Sequence, residues 1–483
     1  MIFVIQIILI ILGAFMAVLD TTVVDIIVPK LRGPLSTDIY GAQWVITSYM
    51  IAAATGLIIV EWLIKRYGNK TIYIIGVAIF TITSFGCGIS TSLAEIIFFR
   101  SLQGFAEALV MVTAQALLFS MFPPQKRGVA MGIFALGVAF APAVGPTLGG
   151  YLTNLFSWRA VCFVNVPIGI LLVIFSLLLL EDKGKKEPFK LNFISLIFLS
   201  AFTISLLILL SKGQQYGWFN SSFISFLGFF SYFSLIGFII SEFFSKNRIF
   251  DYSLFKNYNY TLGILVYFVL LGFSMYQYFY LIPIYYEHLK GLNSIQTGLG
   301  VLGFGIYIGI FSIIAGILTD KISPIPILIL AGITYIYTGF FLFPSLNYYT
   351  PFYEAVIKTM PFGIAMGLFF TPITVLVMNN SNQKIEQAIM TMDYVRFIGG
   401  SFGTAIATNN LVFFHQKELQ GIKELENFEI IKDFPNKILH ALAENFMAFN
   451  DGFRFVWLDA AFWGAIGTFF IFLIPLKGKK WFG

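Results

Sequence analysis

The sequence has little charge. Only 11% of its 483 residues are Asp, Glu, Lys or Arg, whereas 58% are hydrophobic and the mean hydropathy is +0.85. Soluble proteins contain about 25% charged residues and about 45–50% apolar ones. This shortage of charge excludes a soluble globular protein of ordinary composition and predicts an integral membrane protein.

Cysteine and histidine are also scarce, with two and three residues respectively. Cys87 and Cys162 both lie in apolar stretches, so the sequence offers neither a disulfide framework nor a cysteine-based metal site. The three histidines fall in polar connecting stretches, which gives a metalloenzyme little support. We therefore expect no metal, no cofactor and no enzymatic activity.

Long apolar runs are the main feature of the sequence. A membrane-spanning helix needs about 20 apolar residues, and the polar breaks leave fourteen such segments, numbered here in chain order: 2–28, 41–63, 71–91, 95–121, 128–153, 161–181, 192–212, 222–245, 259–286, 295–318, 326–343, 354–378, 388–412 and 451–475. Segment 1 has no basic region before it and no small-residue cleavage pattern, so we expect a retained helix rather than a signal peptide.

The basic residues are distributed unequally between the two sides of the predicted membrane. Of the 30 Lys and Arg residues, 17 fall on one set of alternating loops and nine on the other. Because basic loops stay in the cytoplasm, both termini are predicted to be cytoplasmic. The net charge of +6 is thereby explained without a nucleic-acid partner.

Three regions are predicted along the chain: a six-helix bundle over 1–181, two inserted helices with flanking loops over 182–258, and a second six-helix bundle over 259–483. The second bundle includes an outward polar stretch at 413–450, which is either an amphipathic surface excursion or a docking site for a partner.

A faint internal repeat supports two related bundles. In each bundle a helix end is followed by a short basic turn, as expected for gating loops at the cytoplasmic side. The residues of these turns are Lys65, Arg66 and Gly68 in the first bundle, and Gly316, Asp320 and Lys321 in the second.

Charged residues inside the apolar segments are candidates for function, because a charge in lipid is costly. Five of them stand out, Asp20, Arg100, Glu107, Asp393 and Arg396, with Asp25 nearer an interface. At about 1.5 Å per residue, Asp20 lies roughly 12 Å and Arg100 roughly 8 Å below the outer surface, so the two can pair. Glu107 is expected near the midplane, whereas Asp393 and Arg396 are expected in the inner half.

A carboxylate whose hydration or partner differs between two conformations binds and releases a proton. We therefore expect proton coupling at these residues. The alternative for each pair is a static ion pair that fixes helix packing.

Segment 5 contains a stripe of small residues. Gly137, Ala141, Gly145 and Gly149 recur every four residues, with Pro142 and Pro146 between them. Small residues at this spacing let another helix approach closely, and prolines bend a helix. The stripe suits a sliding interface, although ordinary small-residue packing gives the same pattern.

Several sequence stretches resemble the fourteen-helix drug:proton antiporters of the major facilitator superfamily, EmrB/QacA type. The resemblance covers nearly the whole chain, and it is carried by LDTTVVDIIVP at 19–29, WVITSY at 44–49, RSLQG at 100–104, APAVGPTLGG at 141–150, SWRAVCFVNVP at 157–167, DYSLF at 251–255 and RFIGGSFG at 396–403.

The resemblance implies an all-α major facilitator fold with fourteen transmembrane helices in a 6+2+6 arrangement. It also implies a bacterial inner-membrane exporter that exchanges protons for amphipathic organic compounds by alternating access. Proton coupling falls on Asp20 and Arg100, and the antiporter signature falls on 141–150, including Gly150. In two-membrane bacteria a periplasmic adaptor and an outer-membrane channel are implied as partners.

Other functions share these features. A proton-coupled importer, or an exporter of one metabolite or siderophore, would use the same fold, and only the segment 5 pattern argues against import. A membrane-embedded protein without transport function would need a catalytic cluster or signalling domain, which no predicted loop supplies.

The sequence departs from the family pattern at five positions. Glu61 replaces the glycine that opens the loop after segment 2, and Lys65 replaces its acidic residue. Three carboxylates, Asp25, Glu107 and Asp393, are added at depth. These added negative charges favour cationic substrates.

Overall fold

The computed structural model describes residues 2–31, 33–181, 190–381, 384–426 and 437–474. They form fourteen long helical segments: α1 (Ile2–Leu31), α2 (Ile39–Tyr67), α3 (Asn69–Ile89), α4 (Leu93–Met121), α5 (Arg127–Leu155), α6 (Trp158–Leu179), α7 (Phe193–Tyr216), α8 (Ser222–Phe244), α9 (Tyr258–Leu289), α10 (Ser294–Lys321), α11 (Pro324–Ser345), α12 (Phe352–Asn379), α13 (Ile385–Glu426) and α14 (Lys437–Phe472).

Among the described residues, twelve of these helices are long and apolar enough to cross a membrane. The two outside this set are α5 and α13. Only helices satisfy every backbone group without water, so the all-α architecture follows from the apolar composition.

Local side chains fix several helix ends. At the start of α10 the side chain of Asn293 accepts a 2.9 Å hydrogen bond from the Gln296 amide, and the Gln296 side chain accepts one from the Asn293 amide. At the start of α4 the hydroxyl of Ser92 caps the amide of Glu95. Gly68 separates α2 from α3 with a φ of +92°, a backbone conformation that favours glycine. These caps produce short connections between antiparallel neighbours.

The helices form two bundles with separate apolar cores. One core consists mainly of side chains from α1 to α6, and the other consists of side chains from the residues just before α9 through α14. Helices α7 and α8 pack on each other, and α7 also contacts α2 and α13. Two hydroxyl pairs mark these contacts, Thr47 with Ser211 at 3.1 Å and Thr203 with Tyr394 at 2.7 Å.

The two bundles meet chiefly along α5 and α10. Further contacts join α5 to α12, α2 to α13, and α4 to α13. We call the end of the bundles at which Lys65, Lys126 and Lys246 lie the basic face. The other end is the opposite face.

Helix α9 is irregular where it faces α13. Helix α9 contains π-helical turns at Tyr267–Met275 and Tyr285–Leu289. At the first turn Gly272 lies against Gly399 of α13 so closely that a Cβ on Gly272 would lie 2.9 Å from the Gly399 Cα. Small residues thus allow the backbones of α9 and α13 to touch.

The polar stretch at 413–450 is largely helical where it is described. Helix α13 continues to Glu426 and α14 begins at Lys437, whereas 427–436 lies outside the described residues. The segments predicted from hydropathy end earlier because they count apolar residues only. Glu, Lys and Gln are good helix formers, so the helices extend past the apolar runs.

Candidate functional site

Helix α4 presents a line of polar side chains along one face. Arg100, Gln103, Glu107 and Gln115 are all buried. Their spacing places them on similar sides of the helix. Their partners lie on α1, α3 and α13, so α4 is the element on which the candidate site is built.

The first group in this line is an ion pair. The guanidinium of Arg100 donates a hydrogen bond from Nη1 to Oδ2 of Asp20 on α1, and both side chains are at most 3% exposed. The structure thus brings together the two residues that the sequence paired by depth. A buried ion pair is stable only when further hydrogen bonds satisfy its remaining atoms.

Two amides supply those further bonds. Asn165 of α6 donates to the other carboxylate oxygen of Asp20 at 2.6 Å, and Gln103 accepts from Arg100 Nη1 at 2.7 Å. Gln103 in turn donates to Ser84 of α3 at 2.7 Å. Both carboxylate oxygens of Asp20 are therefore occupied by donors from separate helices.

The aromatic face of Tyr49 completes this environment from α2. The Arg100 guanidinium carbon lies 4.1 Å from the centre of the Tyr49 ring, within cation–π range. Arg100 also donates from Nε to the carbonyl oxygen of Val45 at 3.4 Å. Arg100 thus keeps contacts to α2 and α4 that do not depend on Asp20.

Three residues of this environment, Asn165, Gln103 and Tyr49, were not predicted from the sequence to be functional. A usable signal was present for Asn165, because it is a polar residue within the apolar segment Trp158–Leu179 and lies just before Pro167. Helix α6 is interrupted at Val164, which separates Trp158–Phe163 from Asn165–Leu179. A helix break of this kind is expected near a proline.

Glu107 lies further along α4, between the two bundles. Among the described residues, no group donates a hydrogen bond to its Oε2 atom, although this atom is buried. Its electrostatic neighbours are Arg396 of α13, Arg100 and Asp393, together with Tyr49. Glu107 is therefore a buried carboxylate with capacity left to bind a donor.

A third set of buried polar side chains, Gln115, Asp393 and Arg396, forms a direct contact between the two bundles. Gln115 of α4 donates a 3.0 Å hydrogen bond to Oδ2 of Asp393 on α13. Arg396, one helical turn along, lies 3.4 Å from Oδ1 of the same carboxylate. The Nε atom of Arg396 is buried without a partner in the described part of the chain. Arg396 and Glu107 thus present unsatisfied groups of opposite charge on facing bundles.

Asp25 was also predicted as a coupling residue. Its backbone belongs to α1, but its side chain lies outside the described residues.

The small-residue stripe of α5 packs against α1. A Cβ on Gly137 would overlap Ile11, one on Gly145 would overlap Thr22, and one on Gly149 would lie 2.9 Å from Val23. Ala141 is fully buried on this stripe, while the side chains of Pro142 and Pro146 lie outside the described residues. The stripe thus holds α5 to the helix that carries Asp20.

A different part of α5 meets the other bundle. Its first backbone amides, of Gly128 and Val129, donate to the Asp320 carboxylate of α10 at 2.7 and 2.9 Å. A Cβ on Gly128 would overlap the Gly316 carbonyl, and one on Gly132 would lie 2.7 Å from that of Ser312. A carboxylate at a helix N-terminus is favourable because it satisfies free amides. Gly316 and Asp320 were predicted from their loop, whereas Gly128 and Gly132 were not.

The other predicted loop residues lie at the basic face. Lys65 forms a 2.6 Å ion pair with Glu61, and Arg66 stacks over the rings of Trp62 and Tyr67. Lys321 ends α10, and its side chain is exposed. These residues, with Gly68 between α2 and α3, border the junction of the two bundles.

Residues 10–404 match the family model described as Major Facilitator Superfamily. The chain belongs to the Major Facilitator Superfamily. This membership confirms the family predicted from the motifs, and with it the all-α major facilitator fold.

Several curated relatives of this facilitator are named for multidrug export or for fatty-acid resistance. The Multidrug export protein EmrB of Escherichia coli K12 is 30% identical over 404 residues, covering 82% of this chain and 78% of the relative. EmrB of Haemophilus influenzae is 29% identical with the same coverage. The Fatty acid resistance protein FarB of Neisseria gonorrhoeae is also 29% identical, covering 82% and 78%.

Solved structures of other facilitators share the fold. The proton:xylose symporter XylE bound to 6-bromo-6-deoxy-D-glucose superposes with a TM-score of 0.63 at 14% identity, covering 97% of this chain and 95% of XylE. A bacterial homologue of the human lysosomal transporter Spinster gives 0.58 at 17% identity, covering 98% and 97%. At these identities the likeness concerns the fold.

Proposed function

We propose that this facilitator is a proton-coupled multidrug exporter that moves amphipathic organic compounds out of the cytoplasm by alternating access. The multidrug efflux function predicted from the sequence is supported by relatives named multidrug export proteins. Proton coupling, and the residues that perform it, are our proposal.

The single observation that carries the coupling proposal is the ion pair of Asp20 and Arg100. Both side chains are buried between apolar helices, and Asp20 binds donors from α4 and α6. A proton on Asp20 removes the negative charge and the charge-assisted hydrogen bond. Arg100 then retains its contacts with Gln103, Val45 and the Tyr49 ring, while α1 loses its ion pair with α4.

The movement of α1 has a direct route to the bundle interface. Helix α1 packs against the small-residue stripe of α5, and the basic end of α5 binds Asp320 of the other bundle. A shift of α1 relative to α4 is therefore passed to the helix that joins the bundles. This link makes protonation of Asp20 a means of changing which face is open.

Substrate binding is assigned to the region of Glu107 and Arg396. Glu107 has a buried oxygen without a hydrogen-bond donor, and it faces the bundle interface. A cationic group of a substrate would pair with this carboxylate. The added carboxylates Glu107 and Asp393 thereby favour cationic compounds.

The topology of this proposal places the basic face in the cytoplasm. We propose that α5 and α13 also span the membrane, which gives fourteen spans and two cytoplasmic termini in a bacterial inner membrane. Their packing supports this, because α5 lies between α1 and α10 and α13 lies between α4, α7 and α9. The helical extensions of α13 and α14 would then project on the outer side, where a periplasmic adaptor leading to an outer-membrane channel would dock.

The decisive experiment measures the direction of transport. Purified protein in proteoliposomes with an imposed pH gradient should move a fluorescent cation against the direction of proton flow. An importer would move the compound together with the protons, and that result would overturn the proposal. Substrate-induced proton release from purified protein, screened over a panel of compounds, identifies the substrates.

A further inference from the structure

A cavity of about 360 Å³ opens at the basic face, away from the row of buried charges. Its lining combines three parts of the molecule: Lys65 of α2, residues of the linker between α8 and α9, and Gln387 of α13. The linker contributes Lys246, Arg248 and Lys256 together with Asp251. One of the four cations around the cavity, Lys65, pairs with Glu61, and the lining itself holds a single carboxylate.

That carboxylate is already occupied. Asp251 accepts hydrogen bonds from Lys384 and from the amide and hydroxyl of Ser253. Burial alone would raise the pKa of Asp251, but these hydrogen bonds outweigh burial and hold the pKa below its usual value. Asp251 is thus ionised at neutral pH and paired with a lysine that does not line the cavity.

The cations of the linker lack such partners. Within the described ranges, no carboxylate lies at ion-pair distance from Lys246, Arg248 or Lys256. Arg248 donates from Nε to the backbone carbonyl of Glu242 at 3.2 Å, while the Glu242 carboxylate accepts the amide of Ile249. Among the described residues, no carboxylate therefore compensates the charges of these three linker cations.

The linker lies at the boundary between lipid and water. It follows Phe243 and Phe244 at the end of α8, whose side chains are 75% and 80% exposed. Exposed aromatic side chains at a helix end lie in or against the bilayer. Arg248 comes only four residues later, so the cavity is at the depth of phospholipid headgroups.

We propose that this cavity binds a phosphate-type anion, supplied by the headgroup of an anionic phospholipid or by free phosphate. A guanidinium binds phosphoryl oxygens in pairs, and lysines add point charges. A bound phosphoryl group would contact Lys65 of the first bundle, the linker, and the side of α13 that carries Gln387. Binding would therefore stabilise the arrangement in which these parts are adjacent.

The test uses the full chain in nanodiscs of phosphatidylcholine, alone or mixed with phosphatidylglycerol. Thermal stability and lipid retention in native mass spectrometry are measured. We expect phosphatidylglycerol to raise the midpoint of unfolding. The double variant Lys246→Gln with Lys256→Gln should bind phosphatidylglycerol with an apparent affinity about 30-fold lower, since each lysine near an anionic surface contributes about fivefold.

Two matched variants separate a built site from general surface charge. Lys246→Arg with Lys256→Arg keeps both charges and should bind as the unmodified protein does. Lys126→Gln with Lys190→Gln removes two exposed lysines of the same face that do not line the cavity, and should leave binding unchanged. Equal losses in both Gln pairs would overturn the proposal.

A second arm distinguishes the source of the anion. Inorganic phosphate is added to delipidated protein in detergent, with the same variants. If phosphate stabilises the unmodified protein but not the variant with Lys246→Gln and Lys256→Gln, free phosphate is a ligand. If phosphatidylglycerol alone stabilises the protein, the ligand is the lipid headgroup. No response to either anion rules the site out.

Discussion

At the scale of single residues, the chemistry rests on carboxylates that have no access to bulk water in this conformation. Asp20 is held by Arg100 and Asn165, whereas Glu107 has an unsatisfied oxygen. Removing one partner of a buried ion pair leaves the other charge uncompensated, which is costly. A substitution that changes the charge of such a carboxylate while keeping its shape therefore separates its charge from its packing.

The first prediction concerns Asp20. In Asp20→Asn the side chain keeps its size but cannot take up or release a proton. We expect proton-driven export in energised vesicles to fall to background, while substrate binding by the purified protein persists.

A control for this variant is Glu354→Gln, which removes a partly exposed carboxylate that is paired with Lys358. Export should be unaffected by this change. If Asp20→Asn transported as the unmodified protein does, the Asp20 and Arg100 pair would be a static structural element.

The second prediction concerns Glu107. Glu107→Gln removes the charge that we assign to cationic substrates, so export of cations should fall about tenfold, the factor that corresponds to about 1.4 kcal/mol. Export of neutral compounds should be retained. Efflux rates for a matched cationic and neutral pair provide the measurement, and Glu95→Gln at the exposed start of α4 is the control. Equal losses for both compounds would count against the assignment.

At the scale of elements, α5 performs two packing roles with two sets of glycines. Gly137, Gly145 and Gly149 face α1, whereas Gly128 and Gly132 face α10. The first set joins α5 to the proton-binding helix, and the second joins it to the other bundle. A helix with both contacts can transmit a movement from one to the other.

The third prediction tests the contact of α5 with α10. In Gly128→Ala the added methyl group would overlap the Gly316 carbonyl and crowd Asp320, so the basic face should close poorly. We expect slower export and greater labelling of single cysteines introduced at this face. Gly421→Ala in α13 is the control, because no atom lies within 4 Å of its new methyl group. Similar behaviour of the two variants would contradict the role of Gly128.

At the scale of the whole molecule, the described hydrogen bonds at the ends of the two bundles join them at the basic face. Asp320 binds Gly128 and Val129, Asn69 donates to Glu386 at 3.0 Å, and Arg127 donates to Asn379 at 3.2 Å. This arrangement corresponds to a molecule closed at that face. Alternating access requires these bonds to break in each transport cycle.

The fourth prediction tests that requirement. Asn69→Cys and Glu386→Cys place two thiols where the side chains now bond, and a short bifunctional thiol reagent with a cleavable link should join them. Export should stop on cross-linking and return on cleavage. Cys87 and Cys162 are buried and should not compete. Each single-cysteine variant is the control, and continued export by the cross-linked protein would exclude a rocking movement at this face.

Motifs predicted the family well because they combine residue type with position in a helix. The depth of Asp20 and Arg100 followed from helix geometry, and the structure pairs them. By contrast, hydropathy could not identify Asn165, Gln103 or Gln115 as partners. Each is an isolated polar residue whose significance depends on which helix lies opposite, and that is a property of the bundle rather than of the segment.

The sequence by itself determined that this protein lies in a membrane, that it consists of helices, and that Asp20, Arg100 and Glu107 are buried. The reason is that low charge, apolar length and backbone hydrogen bonding leave few alternatives in lipid. Only the tertiary structure decided which glycines of α5 face which bundle, where Glu107 meets Arg396, and that the linker cations surround a cavity. These features depend on helix rotation and on contacts between residues far apart in the chain, which local patterns do not encode.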